Sequence, residues 1–153
     1  MRNALLVLFV TSGAMINSAF AQGPGCKEGN FSSESKPTQQ RLTAFLIELQ
    51  KDVAGDDRPA VAGLASYPVT VSTVARRLKI ADRAEFVERY SEIFPAELQK
   101  FLAAQDSTCI SRVGAQGFTV GQGQIWFDFN PDGIVELFTI NPVIYEQITA
   151  VKR

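Results

Sequence analysis

The hydrophobic residues in the first third of the chain recur at helical spacing. Ser35 is a favourable N-cap residue, and Pro37 falls in the first turn that would follow it. One apolar stripe then repeats every three to four residues: Leu42, Phe45, Leu46, Leu49 and Val53. This pattern predicts an amphipathic helix that ends near Gly55. Asp57 is placed to cap a second, shorter helix, which must end before Pro68.

Alternation of apolar and polar residues, many of them β-branched, predicts a strand over residues 67–74 (YPVTVSTV). A third helix follows, because Asp82 and Glu85 form a capping-box pattern and Glu85 stands four residues before Arg89. Its buried face is predicted to carry four residues: Phe86, Tyr90, Ile93 and Phe94. Pro95 opens a further helical stretch with three apolar residues: Leu98, Phe101 and Leu102.

After Cys109 the chain consists of short apolar runs separated by glycines. These runs predict strands over residues 110–113, 118–120, 125–129 and 134–140. Helices come first and an antiparallel meander follows, an order typical of the α+β class. We therefore predict N-terminal helices packed on one face of a curved antiparallel sheet.

Residues 128–133 (DFNPDG) match the opening of a calcium-binding loop, D-x-[DN]-x-[DN]-G. The closing position of such a loop requires a bidentate glutamate, and here Thr139 occupies it. Turn chemistry accounts for the residues better. Asn130 and Pro131 suit the first two positions of a type I turn, and Gly133 suits the left-handed position that follows. We predict a β-hairpin here and no metal site.

The N-terminal segment has the pattern of a secretory signal peptide. A short basic start precedes an apolar stretch from Ala4 to Ile16, and small residues flank Phe20 in the sequence AFA before Gln22. The alternative is a retained membrane anchor, for which the apolar stretch is short, since a span needs about 20 apolar residues. The predicted organisation is a signal peptide, a flexible leader and one α+β domain: residues 1–21, 22–35 and 36–153.

This organisation predicts a secreted or periplasmic protein with no membrane span after signal cleavage. Loss of Arg2 leaves 14 Lys+Arg against 16 Asp+Glu, a net charge of 14 − 16 = −2. Nucleic acid is therefore not an expected partner. The densest basic run, Arg76, Arg77 and Lys79, is interpreted as a solvated strand end.

Two cysteines follow the predicted cleavage site, Cys26 and Cys109. In an exported protein two thiols most simply form one disulfide. A disulfide between them would close a loop of more than 80 residues and stabilise the fold by about 4 kcal/mol in the chain-entropy model. The alternative is a free reactive thiol, but the chain has no histidine to activate it.

Three segments together carry a resemblance to a known family: AGLASYPVTV, ADRAEFVERYSEIF and GQGQIWFDFNPDGIVELFTIN. With the preceding helix they resemble small exported bacterial proteins of the NTF2-like (cystatin-like) superfamily. The resemblance covers about Leu42 to Asn141 and implies architecture and export rather than an activity. The superfamily also includes enzymes, such as ketosteroid isomerase and SnoaL-like cyclases, that hold an acidic or histidine base in the cone between helices and sheet. No cofactor is expected for this chain.

Candidate site residues are few: Asp128, Glu136, Tyr67, Tyr90, Tyr145 and Trp126. Alternation places Glu136 on one strand face with Ile134, Phe138 and Ile140, and an apolar concave surface there would make its carboxylate a stronger base. The alternative is a partly solvated Glu136 at the rim. Trp126 is either an exposed anchor for a partner or sugar, or a side chain packed under a helix.

These observations favour an exported non-catalytic binding module whose partner is an unknown protein or small molecule. Two alternatives remain, an NTF2-like enzyme with an acidic base in the cone and an inhibitor or immunity-type protein acting on an envelope enzyme. A homodimer through the sheet is a further expectation, because both faces of residues 134–140 are largely apolar.

Overall fold

A computed structural model describes residues 30–143. The first predicted helix is α1, Lys36–Ala54, and it begins where the sequence indicates, with the Ser35 hydroxyl accepting from the Thr38 N–H. The second is α2, Arg58–Gly63, in which the Asp57 carboxylate accepts from the Ala60 N–H at 3.1 Å. The sequence also predicts the capping of the third helix, where Asp82 accepts from the Glu85 N–H at 3.0 Å.

The third predicted helix is divided into two pieces, α3 at Arg83–Glu88 and α4 at Tyr90–Ile93. The separate helical stretch predicted after Pro95 is α5, Ala96–Ala103. Arg89 lies between α3 and α4, and its guanidinium contacts Glu85 at 3.2 Å and Glu92 at 3.1 Å. The two ion pairs therefore connect the ends of α3 and α4 across the break.

The sheet has six strands in the order β2-β1-β6-β5-β4-β3. Their bounds are β1 Ala65–Ser72, β2 Arg77–Ile80, β3 Ile110–Arg112, β4 Phe118–Val120, β5 Ile125–Phe129 and β6 Val135–Ile140. All neighbouring pairs are antiparallel except β1 and β6, which are parallel. The α+β prediction is confirmed, but the sheet is mixed rather than wholly antiparallel. Strand β2 was not predicted as a strand of its own.

The helices and one face of the sheet enclose the core, and aromatic rings fill the space between them. The ring centroid of Phe127 on β5 lies 5.0 Å from that of Phe45 on α1 and 6.3 Å from that of Phe118 on β4. Tyr90 and Phe94 stack at 5.5 Å. We call the face of the sheet that the helices cover the inner face. It is apolar because its side chains pack against one another and against the helices.

The DFNPDG segment forms the predicted hairpin between β5 and β6. The Gly133 N–H donates to the Asn130 carbonyl at 2.8 Å, and Gly133 has φ +78°. The Asn130 side-chain oxygen accepts from the N–H groups of Asp132 and Ile134. This is a turn held by an asparagine, as the sequence predicts.

The domain begins earlier than predicted. Phe31–Ser33 forms a short 3₁₀ turn, and Phe31 packs against the core. The Asn30 side chain bonds to both backbone groups of Arg112 on β3, at 2.6 and 3.2 Å. Residues 30–35 therefore belong to the fold, although they were assigned to the flexible leader.

Several predictions fall outside the described residues: the signal peptide, Cys26 and Tyr145. Within residues 30–143, no helix combines the length and the apolar character that crossing a membrane would require.

Candidate functional site

The face of the sheet opposite the helices is here called the outer face. Strand register aligns one row of side chains across it: Lys79, Thr70, Thr139, Trp126, Thr119 and Ser111. Their strand neighbours, such as Val69, Val71 and Ile125, are fully buried on the inner face. Because successive strand residues point to opposite faces, the row belongs to the outer face. Four of its members carry hydroxyl groups, and that of Thr119 is buried and donates to the Ile125 carbonyl at 2.9 Å.

Trp126 is the centre of that row and is half-buried. Its indole N–H donates to the Gly123 carbonyl at 2.9 Å, which holds the ring against the β4–β5 turn. Gly123 has φ +94°, a backbone conformation that favours glycine. The helices within residues 30–143 pack on the inner face, so Trp126 does not pack under any of them. Its role as an anchor for a partner or sugar stays a prediction.

A β-bulge brings a second aromatic ring to the outer face. Trp126 pairs with Thr139 and Phe127 pairs with Leu137, so Phe138 is an extra residue in β6. Leu137 is fully buried on the inner face, and its neighbour Phe138 is half-buried. Alternation therefore places Phe138 on the outer face, opposite Trp126. We call Trp126, Phe138 and Thr139 the aromatic ledge.

The bulge also corrects the predicted face of Glu136. Ile140 is fully buried with the core, whereas Glu136 is half-buried and adjoins the inward-facing Leu137. The extra residue reverses the alternation between positions 137 and 140, so Glu136 and Ile140 lie on opposite faces. The structure therefore puts Glu136 on the outer face and not in the core between helices and sheet.

Asp128 and Glu136 lie directly opposite each other on β5 and β6. One Asp128 oxygen accepts from the Phe129 N–H at 2.8 Å. Among residues 30–143, no lysine or arginine forms an ion pair with either carboxylate. Two like charges facing each other across strands destabilise a sheet. This carboxylate pair adjoins the aromatic ledge, two residues along each strand.

The opposite charge is found at the β2 edge of the same face. Lys79 pairs with Thr70, and Arg77 pairs with Ser72. Both basic side chains are exposed. Strands β1 and β6 separate them from β5, so the outer face is basic at one edge and acidic near its centre.

The two described tyrosine candidates belong to the helical side. The Tyr67 hydroxyl donates to the Ala62 carbonyl at 2.7 Å, and partial burial raises the pKa of Tyr67 to about 12. Tyr90 is 1 % exposed, and the Arg58 guanidinium lies 5.2 Å from its ring centroid. Burial, aided by the nearby Asp56 carboxylate, raises the pKa of Tyr90 to about 12. Neither tyrosine reaches the aromatic ledge.

Cys109 is buried at the end of a 3₁₀ turn, Ser107–Cys109, just before β3. The bonds of Asn30, four residues after Cys26, to Arg112 bring the chain to the end of that three-residue strand. The predicted disulfide with Cys26 involves a residue outside the described range, so it stays a prediction.

Two shallow grooves lie on the helical side of the described part of the chain. One runs along α1 between Phe31 and Ile47 with a volume of about 460 Å³. The other lies between α2 and α3, beside Pro59, Arg83 and Val87, with a volume of about 580 Å³. Neither groove includes a residue of the outer face.

The structure thus brings together three of the predicted residues, Trp126, Asp128 and Glu136, on the outer face, where each is half-buried. The sequence places Phe138 on the face of Glu136, but it does not predict that Thr139 joins them and that Ile140 points to the core, because strict alternation does not show a bulge. No protein family, curated protein or solved structure matches this chain.

Proposed function

We propose that the chain is an exported, non-catalytic binding module that recognises its partner through the outer face of the sheet, with Trp126 as the anchor. The observation that carries this proposal is the separation of the two faces. Aromatic rings occupy the inner face, while Trp126, Asp128 and Glu136 share the outer one. A half-buried aromatic side chain at a surface is a typical anchor of binding surfaces.

The proposal has two further supports. The signal-peptide pattern of the sequence supports export to the periplasm or out of the cell. The hairpin of β5 and β6 and the helices before β1 agree with the NTF2-like resemblance, which we retain as a proposal. An enzyme with an acidic base in the cone has less support, since both candidate carboxylates lie on the outer face.

The test uses oxidised residues 22–153 and separated bacterial envelope fractions: insoluble cell-wall polysaccharide, membranes and soluble periplasmic protein. Retention of the protein by each fraction is compared for the wild type, Trp126→Ala and Ile47→Ala. Ile47 is 59 % exposed on α1, so it serves as the matched apolar control far from the outer face. We expect retention by one fraction that falls about tenfold or more in Trp126→Ala and is unchanged in Ile47→Ala.

Loss of retention in Ile47→Ala alone would move the binding surface to the groove on α1. Absence of retention by all three fractions would contradict an envelope-binding function altogether.

A further inference from the structure

We propose that the ligand of the outer face is a glycan with free amino groups, a chain of amino sugars that lies along β5 and β6. This inference rests on the proposed function and names its ligand class. Three properties of the surface lead to it: the aromatic ledge, the carboxylate pair, and the absence of a free strand edge along the path that the glycan would follow over β5 and β6.

The aromatic ledge suits a sugar ring. Pyranose rings present a flat row of C–H bonds, and the negative face of an aromatic ring attracts them. Trp126 is fixed by its bond to Gly123, so little side-chain entropy is lost when a ligand stacks on it. Thr139 in the ledge, and Thr70, which pairs with it across β6 and β1, supply hydroxyl groups. Hydroxyls both donate and accept hydrogen bonds, as sugar hydroxyls require.

The carboxylate pair gives the ligand its charge. Asp128 and Glu136 face each other without a basic partner among the described residues, so a bound cation would relieve their mutual repulsion. Asp128 stands two residues from Trp126, which is about 7 Å along a strand. A sugar stacked on the ledge therefore brings the ammonium group of a neighbouring unit to the carboxylates. The aromatic rings themselves also attract cations.

A glycan fits this surface better than a basic peptide does. An extended peptide gains much of its affinity by pairing with a free strand edge. Strands β5 and β6 are interior strands, and both of their edges are already paired. Recognition on this path must therefore come from side chains, through stacking and hydrogen bonds. Arg77 and Lys79 at the β2 edge lie off the path and do not oppose an amino group there.

The experiment is a calorimetric titration of oxidised residues 22–153 with two matched ligands, a glucosamine hexamer and the fully N-acetylated hexamer. Acetylation removes the charge but keeps the sugar ring. We expect the glucosamine hexamer to bind at least about tenfold more tightly than the acetylated one, because cation–π contacts and charge pairs are lost on acetylation.

Two variants and one control assign the binding to the surface. Trp126→Ala and the double variant Asp128→Asn/Glu136→Gln should each weaken glucosamine binding by about tenfold or more. The control is Glu48→Gln/Glu97→Gln, which removes the same charge from exposed positions on α1 and α5. Its affinity should equal that of the wild type.

Five outcomes would overturn the inference. Equal affinity for both hexamers would show that the carboxylates do not recognise the amino groups. An equal loss of affinity in the control variant Glu48→Gln/Glu97→Gln would show that only the net charge of the protein matters. Trp126-dependent binding of a lysine hexapeptide at the same affinity would identify a protein partner. A wild-type dimer that becomes monomeric in Trp126→Ala would show that a second copy covers the face. If neither hexamer binds but envelope retention still depends on Trp126, the ligand class fails and the proposed function stands.

Discussion

The two faces of the sheet differ in what their side chains contact, although they alternate along the same strands. On the inner face, Phe127 packs between Phe45 and Phe118. One residue earlier in the chain, Trp126 lies on the outer face, and its indole N–H donates to a backbone carbonyl of the adjacent turn. Packing between two rings explains Phe127, whereas no ring pair of this kind involves Trp126 within residues 30–143. The difference separates a residue that stabilises the core from one that the proposed function assigns to recognition.

Charge follows the same division. The inner face carries no charged pair among the buried residues of β5 and β6, and its burial is apolar. The outer face keeps Asp128 opposite Glu136, an arrangement that costs stability. A group retained at a cost is a candidate for function, because unfavourable local contacts cluster at binding and catalytic sites.

The largest expected effect separates the faces by stability. Phe127→Ala should lower the free energy of unfolding by about 3–5 kcal/mol, because it leaves a cavity between two other phenylalanines. Trp126→Ala should lower it by about 1 kcal/mol, since a half-buried ring loses less area. Urea denaturation followed by circular dichroism measures both. A Trp126→Ala loss equal to that of Phe127→Ala would assign the indole to the core and contradict the division.

A smaller effect is expected at the two tyrosines. The Tyr90 hydroxyl is buried and has no hydrogen-bond partner within residues 30–143, so Tyr90→Phe should raise stability by about 1 kcal/mol. Tyr67→Phe is the matched control, and it should lower stability by about 1 kcal/mol because it removes the bond to Ala62. Destabilisation by Tyr90→Phe would show that this hydroxyl has a partner.

Tyr90 also predicts how the stability of the fold depends on pH. The pKa of Tyr90 is raised from 10.0 to about 12 in the folded protein, so the unfolded chain releases this proton at lower pH. The neutral phenol therefore contributes stability below pH 10, and that contribution is lost as the pH rises from 10 through about 12. Unfolding curves at pH 8 and pH 11 should differ less for Tyr90→Phe than for the wild type. Identical differences would contradict the raised pKa.

The smallest expected effect concerns the carboxylate pair. Glu136→Gln should raise stability at neutral pH by about 0.5 kcal/mol, because it removes one of two facing like charges. Glu97→Gln, at an exposed position of α5, is the control and should be neutral. A loss of stability in Glu136→Gln would mean that the carboxylate makes a favourable contact.

Much of the fold was predictable because local chemistry determines it. Ser35, Asp57 and Asp82 each cap the helix that the sequence assigned to them. The turn at Asn130 and Gly133 follows from residue preferences alone. These features depend on contacts within a few residues, which a sequence displays directly.

The remainder depends on register, which local chemistry does not display. Strand β2 (RLKI) is only four residues long and half charged, so alternation gives a weak signal there. The parallel pairing of β1 with β6 joins segments about 70 residues apart. The bulge at Phe138 moves Glu136 away from the face of Ile140. The sequence therefore identifies several residues of the candidate site, but it does not predict which face of the sheet they share.

The central claim is that Trp126 lies on an open face that a ligand covers. The chain has one tryptophan, so its fluorescence reports on that face alone. The most direct measurement is acrylamide quenching of dilute monomeric residues 22–153, with and without the glucosamine hexamer. We predict efficient quenching in the free protein and protection when the hexamer is bound, with Ile47→Ala behaving like the wild type. An indole already shielded from acrylamide in the free monomer would contradict the account.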